Sequence, residues 1–252
     1  MKRAKQAGYD GVEIAFPAVI SIPELDLVWN LAAKHNLEII TQHCRAYDVE
    51  FNLHYDNYCK WIETLAPYKS AMVNSHTGRD YFTFEQNKKL IDFMAGYSKK
   101  HGVPVSHETH RSRFNFAAHV AKEYLKKIPG LRFTLDISHW VNVAESYLDD
   151  QQEAVELAIS RTDYIHARVG HTQGPQVPDP RVPEWQDALN RHLVWWDKVI
   201  VRKKAEGGAE FNIAPEFGAF PYMLHLPSTG QPVIDQWEVN VFMMDLLRER
   251  YK

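Results

Sequence analysis

The chain has 252 residues, of which 45% are hydrophobic and 24% charged, with a formal net charge of −3. This is the composition of an ordinary soluble globular protein, long enough for one large core. The slight negative balance and the lack of a long basic run weigh against a nucleic-acid partner, and no segment approaches the roughly 18 apolar residues of a membrane span. Two cysteines, Cys44 and Cys59, are too few for a disulfide framework and lack metal-type spacing, so a reducing, cytoplasmic setting is expected.

Residues 1–8 read as the last turns of a helix closed by Gly8. From there, short apolar runs alternate with amphipathic stretches. Strands are predicted over residues 10–16, 37–43, 71–76, 103–110, 131–139, 164–169 and 211–217. Helices are predicted over 23–35, 55–65, 84–101, 117–128, 151–160, 193–206 and 236–250. Several end at glycine or proline punctuation, such as Gly102 and the pair Pro129 and Gly130, as helix C-termini do. Strands joined by crossover helices make a parallel sheet, and at this length the arrangement is an α/β, TIM-type (β/α)8 barrel. It is expected to be a single domain over residues 1–252. The count is seven strands rather than eight. A first strand ahead of the opening helix is therefore expected to be lacking from this chain, and any leader peptide with it; an authentic seven-stranded relative is the alternative.

In a barrel of this type chemistry sits at the C-terminal strand ends. Here one strand after another ends in a potential ligand: His43, His76, Glu108 with His110, Asp136 with His139, His166, and Glu216. A carboxylate in an apolar strand is costly to bury unless its charge is compensated, and a cation shared by several such groups compensates it. Residues i and i+2 share a strand face, so Ser106, Glu108 and His110 point together, as do His166 and Arg168. Glu108, Asp136, His166 and Glu216 make an oxygen-rich set with one nitrogen. It suits one divalent ion: Mn²⁺, Mg²⁺, Co²⁺ or Zn²⁺. Taken singly, each residue also has a structural reading: an arginine ion pair for either glutamate, a turn cap for Asp136, a core hydrogen bond for His166.

The run Gly-Tyr-Asp-Gly-Val-Glu-Ile over residues 8–14, Ser-His-Glu-Thr-His around Glu108, Leu-Asp-Ile-Ser-His around Asp136, Tyr-Ile-His-Ala-Arg around His166 and Ala-Pro-Glu-Phe-Gly around Glu216 resemble the xylose isomerase-like TIM-barrel superfamily of sugar phosphate isomerases and epimerases. The first run resembles that family's second strand. The resemblance implies metal ligation by Glu108, Asp136, His166 and Glu216. It also implies proton transfer through an enediolate of a sugar or sugar phosphate, with Glu108 and Glu216 as the acid–base pair. His76, His110, His139 and Arg168 would then contact the small carbohydrate substrate; Arg168 serves equally as ion-pair partner of a ligand carboxylate. Barrels of this kind are often homo-oligomers, though no interface is legible. The segment from His171 to Arg181 departs from the family: it is long and proline-rich, expected to form a stiff lid or a subunit contact, and Arg181 lies too far along to be equated with the family's substrate-binding arginine. Trp185, Trp195 and Trp196 would pack or, less commonly, stack on a sugar ring.

Two rival functions share the fold. An endonuclease IV-like multi-zinc phosphodiesterase would use His43, His76 and His139 as extra ligands. Its Asp-x-His pair would fall at Asp179 and Arg181, where the histidine is replaced. A non-catalytic sugar- or metal-binding barrel is the other rival.

Overall fold

Parallel strands alternate with helices throughout a computed structural model that describes residues 1–17, 19–44, 46–208 and 210–252. The described chain groups into two units, Met1–Glu108 with Ser112–Phe114, and Thr109–Arg111 with Asn115–Lys252.

The first unit runs α1 (Lys2–Ala7), β1 (Gly11–Ala15), α2 (Ile22–Lys34), β2 (Glu38–His43), α3 (Phe51–Leu65), β3 (Met72–Ser75), α4 (Phe84–His101) and β4 (Val105–Glu108). The opening turns close at Gly8, whose φ of 98° is the left-handed cap that favours glycine. Helices α2 and α4 begin with capping boxes, Ser21 with Glu24 and Thr83 with Gln86, each satisfying otherwise orphaned amides in both directions. The strands pair in parallel and in sequence, with Ala15 opposite Gln42, Gln42 opposite Asn74, and Asn74 opposite Ser106. Between strands and helices lies a core that includes Phe16, Leu25, Tyr58, Ile62, Leu90 and Met94.

The second unit contains α5 (Ala118–Lys127), β5 (Phe133–Leu135), α6 (Ile137–Ala144), α7 (Gln152–Ile159), β6 (Thr162–His166), a 3₁₀ turn (Pro183–Trp185), α8 (Gln186–Ala205), β7 (Asn212–Ala214) and α9 (Gln236–Tyr251). Strands β5, β6 and β7 are again parallel neighbours, with Leu135 opposite Ile165 and Ile165 opposite Ile213. The fold class is thus the α/β, TIM-type alternation that the sequence predicts, with seven strands among the described residues.

The largest departure from the predicted elements is at residues 131–139. The strand stops at Leu135, and Asp136 caps a helix, its carboxylate accepting from the Ser138 amide at 3.1 Å. The apolar run Ile137, Trp140 and Val141 is fully buried within that helix, and a short apolar run does not declare its period. Helix α8 starts seven residues before its predicted beginning, directly after the 3₁₀ turn opened by Pro183. It buries Trp195 and Trp196, so these two tryptophans are packing residues. The proline-rich segment is tied down: Val177 is buried and its amide donates to the Val169 carbonyl at 2.8 Å. No helix among the described residues is long and apolar enough to cross a membrane.

Candidate active site

In the first unit the strand pairing lines up a row of polar side chains. Glu108, at the end of β4, is 1% exposed. Its Oε2 accepts from Asn74 Nδ2 at 2.7 Å and Gln42 Nε2 at 3.2 Å, and His76 Nε2 lies 2.9 Å away. Asn74 Nδ2 also donates to Glu13 Oε1 at 2.8 Å. Glu13, Gln42 and Asn74 were not among the residues expected from sequence. The available signal was alternation: Asn74 precedes His76 by two, so both share one face of the chain.

The neighbouring positions point the other way. His107 Nδ1 meets Thr77 Oγ1 at 2.6 Å, and burial pulls its pKa down to about 3. His43, expected among the strand-end ligands, also faces the helices. Its ring sits 4.6 Å from those of Tyr58 and Trp61 on α3, and burial, reinforced by the nearby Arg113 charge, holds its pKa well below the ordinary imidazole value. It is a neutral core histidine. The odd–even alternation of the strand decides this, since His43 stands opposite Ser75 while its neighbour Gln42 stands opposite Asn74.

In the second unit Asp136, His166 and Glu216 come together. Each offers a ligand atom within 4.8 Å of the others. His166 Nδ1 is 2.6 Å from Glu216 Oε2, and His139 Nε2, one helical turn beyond Asp136, is 3.6 Å from Asp136 Oδ2. Arg168 reaches both acids: its Nη2 donates to Glu216 Oε2 at 2.6 Å, and its Nε lies 3.2 Å from Asp136 Oδ2. Burial disfavours the Arg168 charge, but Glu216 and Asp136 more than offset it, so the pKa lies above the usual guanidinium value. His110, predicted as part of a strand, follows the end of β4. Its ring packs 3.9 Å from that of His139, and its Nδ1 donates to the Arg111 carbonyl at 2.6 Å.

This set meets the requirements of a divalent cation. Ligand bonds of about 2.0–2.6 Å are compatible with donor atoms within 4.8 Å of one another. Two carboxylates and an imidazole are borderline-hard donors. Arg168 supplies one positive charge against two carboxylates, which leaves a net negative charge in the cluster.

Glu216 lies beyond β7, which ends at Ala214, so regular strand pairing does not hold it. Side-chain amides hold the residues that follow instead. Asn240 accepts from the Phe217 amide at 2.8 Å, and both Asn240 and Gln236 donate to the Phe217 carbonyl. Gln176 accepts from the Gly218 amide at 2.7 Å and donates to the Gly218 carbonyl at 3.2 Å. Tyr222 follows, its ring 4.3 Å from the Arg168 guanidinium carbon. Nothing in the sequence singles out Tyr222, which lies in a long irregular segment. Arg181 is remote in role: it forms a bidentate pair with Asp179 at 2.8 and 2.9 Å.

A family model described as xylose isomerase-like TIM barrel matches residues 1–195. The chain belongs to the xylose isomerase-like TIM barrel family. Among solved structures, this barrel is similar to a probable 3-DHS dehydratase, AsbF, from Bacillus anthracis, at 14% identity and a TM-score of 0.58, covering 99% of this chain and 92% of that one. It is also similar to a D-allulose 3-epimerase from a Methylomonas species, solved with D-allulose, at 15% identity and a TM-score of 0.59, covering 98% and 88%. No curated protein matches the chain.

Proposed function

We propose that this barrel is a metal-dependent isomerase or epimerase of a sugar or sugar phosphate, working as a single domain. The observation that carries the reading is the meeting of Asp136, His166 and Glu216 within 4.8 Å, on strand ends of a family fold whose chemistry lies there. In this reading Glu108 completes the ligand set. A divalent ion bound there would polarise the carbonyl and neighbouring hydroxyl oxygens of an open-chain ketose.

The chain's own residues supply the proton transfers. Glu108, oriented through Oε2 by Asn74, Gln42 and His76, takes the proton from the carbon beside the carbonyl. Glu216 returns it from the opposite side, and the reverse reaction exchanges the roles. Arg168, fixed by two carboxylates, opposes the negative charge that develops on the substrate oxygens. His110 and His139, whose rings pack at a tilt 3.9 Å apart, are placed to meet hydroxyl groups. The inward turn of His76 toward Glu108 suits a substrate contact or a positioning role. Two features favour this reading over a multi-zinc phosphodiesterase: His43 faces the helices, and Arg181, at the position of the missing histidine, is closed on Asp179.

The test is solvent exchange. Protein loaded in turn with Mn²⁺, Mg²⁺, Co²⁺ and Zn²⁺ is incubated with a ketose panel in deuterium oxide, and both label and product are followed. Deuterium at the carbon beside the carbonyl, lost in Glu108→Gln and Glu216→Gln, is the expected result. No exchange with any metal and any ketose, neutral or phosphorylated, would overturn the reading.

A further inference from the structure

The second unit holds a cation that the proposed proton transfers do not use. Arg111 is half-buried and lies with its guanidinium carbon 5.3 Å from the centre of the Tyr222 ring. The same ring carries Arg168 at 4.3 Å, so two guanidiniums share one tyrosine. Their charges are handled differently. Arg168 is matched by Asp136 and Glu216. Arg111 has no carboxylate partner among the described residues; its contact is with Asn142 Oδ1 at 3.5 Å, the outer limit of a hydrogen bond. Other arginines of this unit, Arg132, Arg181, Arg191 and Arg250, each meet an aspartate at 3.0 Å or less.

The tyrosine is held rather than loosely draped. A Cβ placed on Gly218 would meet the Tyr222 ring at 3.1 Å, so the ring lies directly on that glycine, and Gly218 is itself fastened by Gln176. The Tyr222 amide donates to the Ala219 carbonyl at 2.9 Å, and Met223 beside it is buried. Burial raises the phenol's pKa despite the two arginines, so it stays protonated and can donate. Arg111 follows His110, whose ring packs on His139 beside Asp136, so this cation borders the candidate ligands. A planar guanidinium with spare donors is the side chain best suited to pair with an oxyanion, and it lies against this tyrosine.

We propose that Arg111 and Tyr222 form a subsite for an anionic group, a carboxylate or a phosphate, carried by the substrate. The inference rests on the proposed function for where the reacting carbons lie, and it narrows the substrate to an acidic or phosphorylated sugar. Arg111 is a specificity residue in this account: it binds the anion and takes no part in proton transfer.

Binding tests it without turnover. Titration calorimetry on the Mn²⁺-loaded full chain compares D-fructose, D-fructuronate and D-fructose 6-phosphate, which share a ketohexose backbone. The wild-type protein is expected to bind one of the two anions at least about tenfold more tightly than D-fructose, the scale of one charge-assisted contact. The anion that gains identifies carboxylate or phosphate. Arg111→Met should erase the preference while leaving affinity for D-fructose unchanged, Arg111→Lys should keep part of it, and Tyr222→Phe should lower it by a smaller factor. Equal affinity for all three sugars, no binding of either anion, or a loss in Arg111→Met that is the same for neutral and anionic sugars would each overturn the proposal. Arg111-dependent anion binding without deuterium exchange would retain the subsite and reject proton transfer; exchange on D-fructose with no anion preference would do the reverse.

Discussion

Replacing Arg168 by methionine removes a charge from the centre of the candidate cluster while keeping most of the side-chain volume. The side chain of Arg168 is 3% exposed and that of Asp136 is fully buried. Breaking a buried pair by deleting one partner costs about 3–5 kcal/mol, because the other charge stays desolvated. The contact with Glu216, whose side chain is 27% exposed, adds less because water screens it. In a chain of this size, each kcal/mol moves the melting temperature by roughly 2–4 °C. Arg168→Met is therefore expected to melt roughly 6–20 °C below the wild type in chelator, as read by calorimetry. A divalent ion can replace the lost positive charge, so saturating Mn²⁺ should stabilise the variant by more degrees than the wild type. A ligand at a hundredfold its dissociation constant contributes about 2.7 kcal/mol. A variant that melts within 2 °C of the wild type in chelator, or gains nothing further from Mn²⁺, would refute the view that Arg168 and a metal share the charge of Asp136 and Glu216.

Other outcomes follow from the same geometry. Asp136→Asn keeps a capping side chain for α6 but removes one of the two carboxylates that compensate buried Arg168. It should lose stability in chelator, though less than Arg168→Met because Glu216 still pairs with the guanidinium, while metal affinity, read by competition with a chelating dye, falls at least about tenfold. Gly170→Ala would bring a Cβ to 2.8 Å from Ser138 Cβ and 3.0 Å from its backbone; it should lower stability by about 1–3 kcal/mol in denaturant unfolding, whereas a neutral result would mean the first turn of α6 can yield. His192 accepts from the Gly170 amide through Nε2 at 3.2 Å, and burial lowers its pKa from 6.5 to about 4. Protons then bind the unfolded state preferentially, so stability is full above pH 6.5 and declines as pH falls toward about 4, by about 3 kcal/mol in total. His192→Leu should flatten that part of the stability–pH curve, and an unchanged slope would assign the acid sensitivity elsewhere.

The sequence carries the alternation of the fold well, because short apolar runs such as Ile39 and Ile40 on β2 or Tyr164 and Ile165 on β6 lie between amphipathic helical stretches. Helix α4 runs from Phe84 to His101, as predicted, since a capping box and a left-handed glycine fix both its ends. What was hidden has physical causes. Asp136 is both the last polar residue of an apolar run and a helix cap, and only the backbone distinguishes a strand continuing to residue 139 from a helix starting at Ile137. Candidate residues with charge or imidazole were legible, and the structure brings Asp136, His166 and Glu216 together. The amides Gln42 and Asn74 were not, because an uncharged polar residue in a strand has many uses and its role appears only through register with β4. Tyr222 and Arg111 lie on loops, where no periodicity reports which way a side chain turns.

The amide grip on residues 217 and 218 bears on how the site opens. Gln176, in the segment after β6, fastens the amide and carbonyl of Gly218, whereas Gln236 and Asn240, on α9, fasten the neighbouring Phe217. A segment bound reciprocally to another cannot swing out alone, so the chain around Gln176 and the chain carrying Tyr222 should move as one gate with a single rate. Amide hydrogen exchange at Val177 and Gly218 would then share one opening constant, and product escape would be timed by that common event rather than by two independent loops.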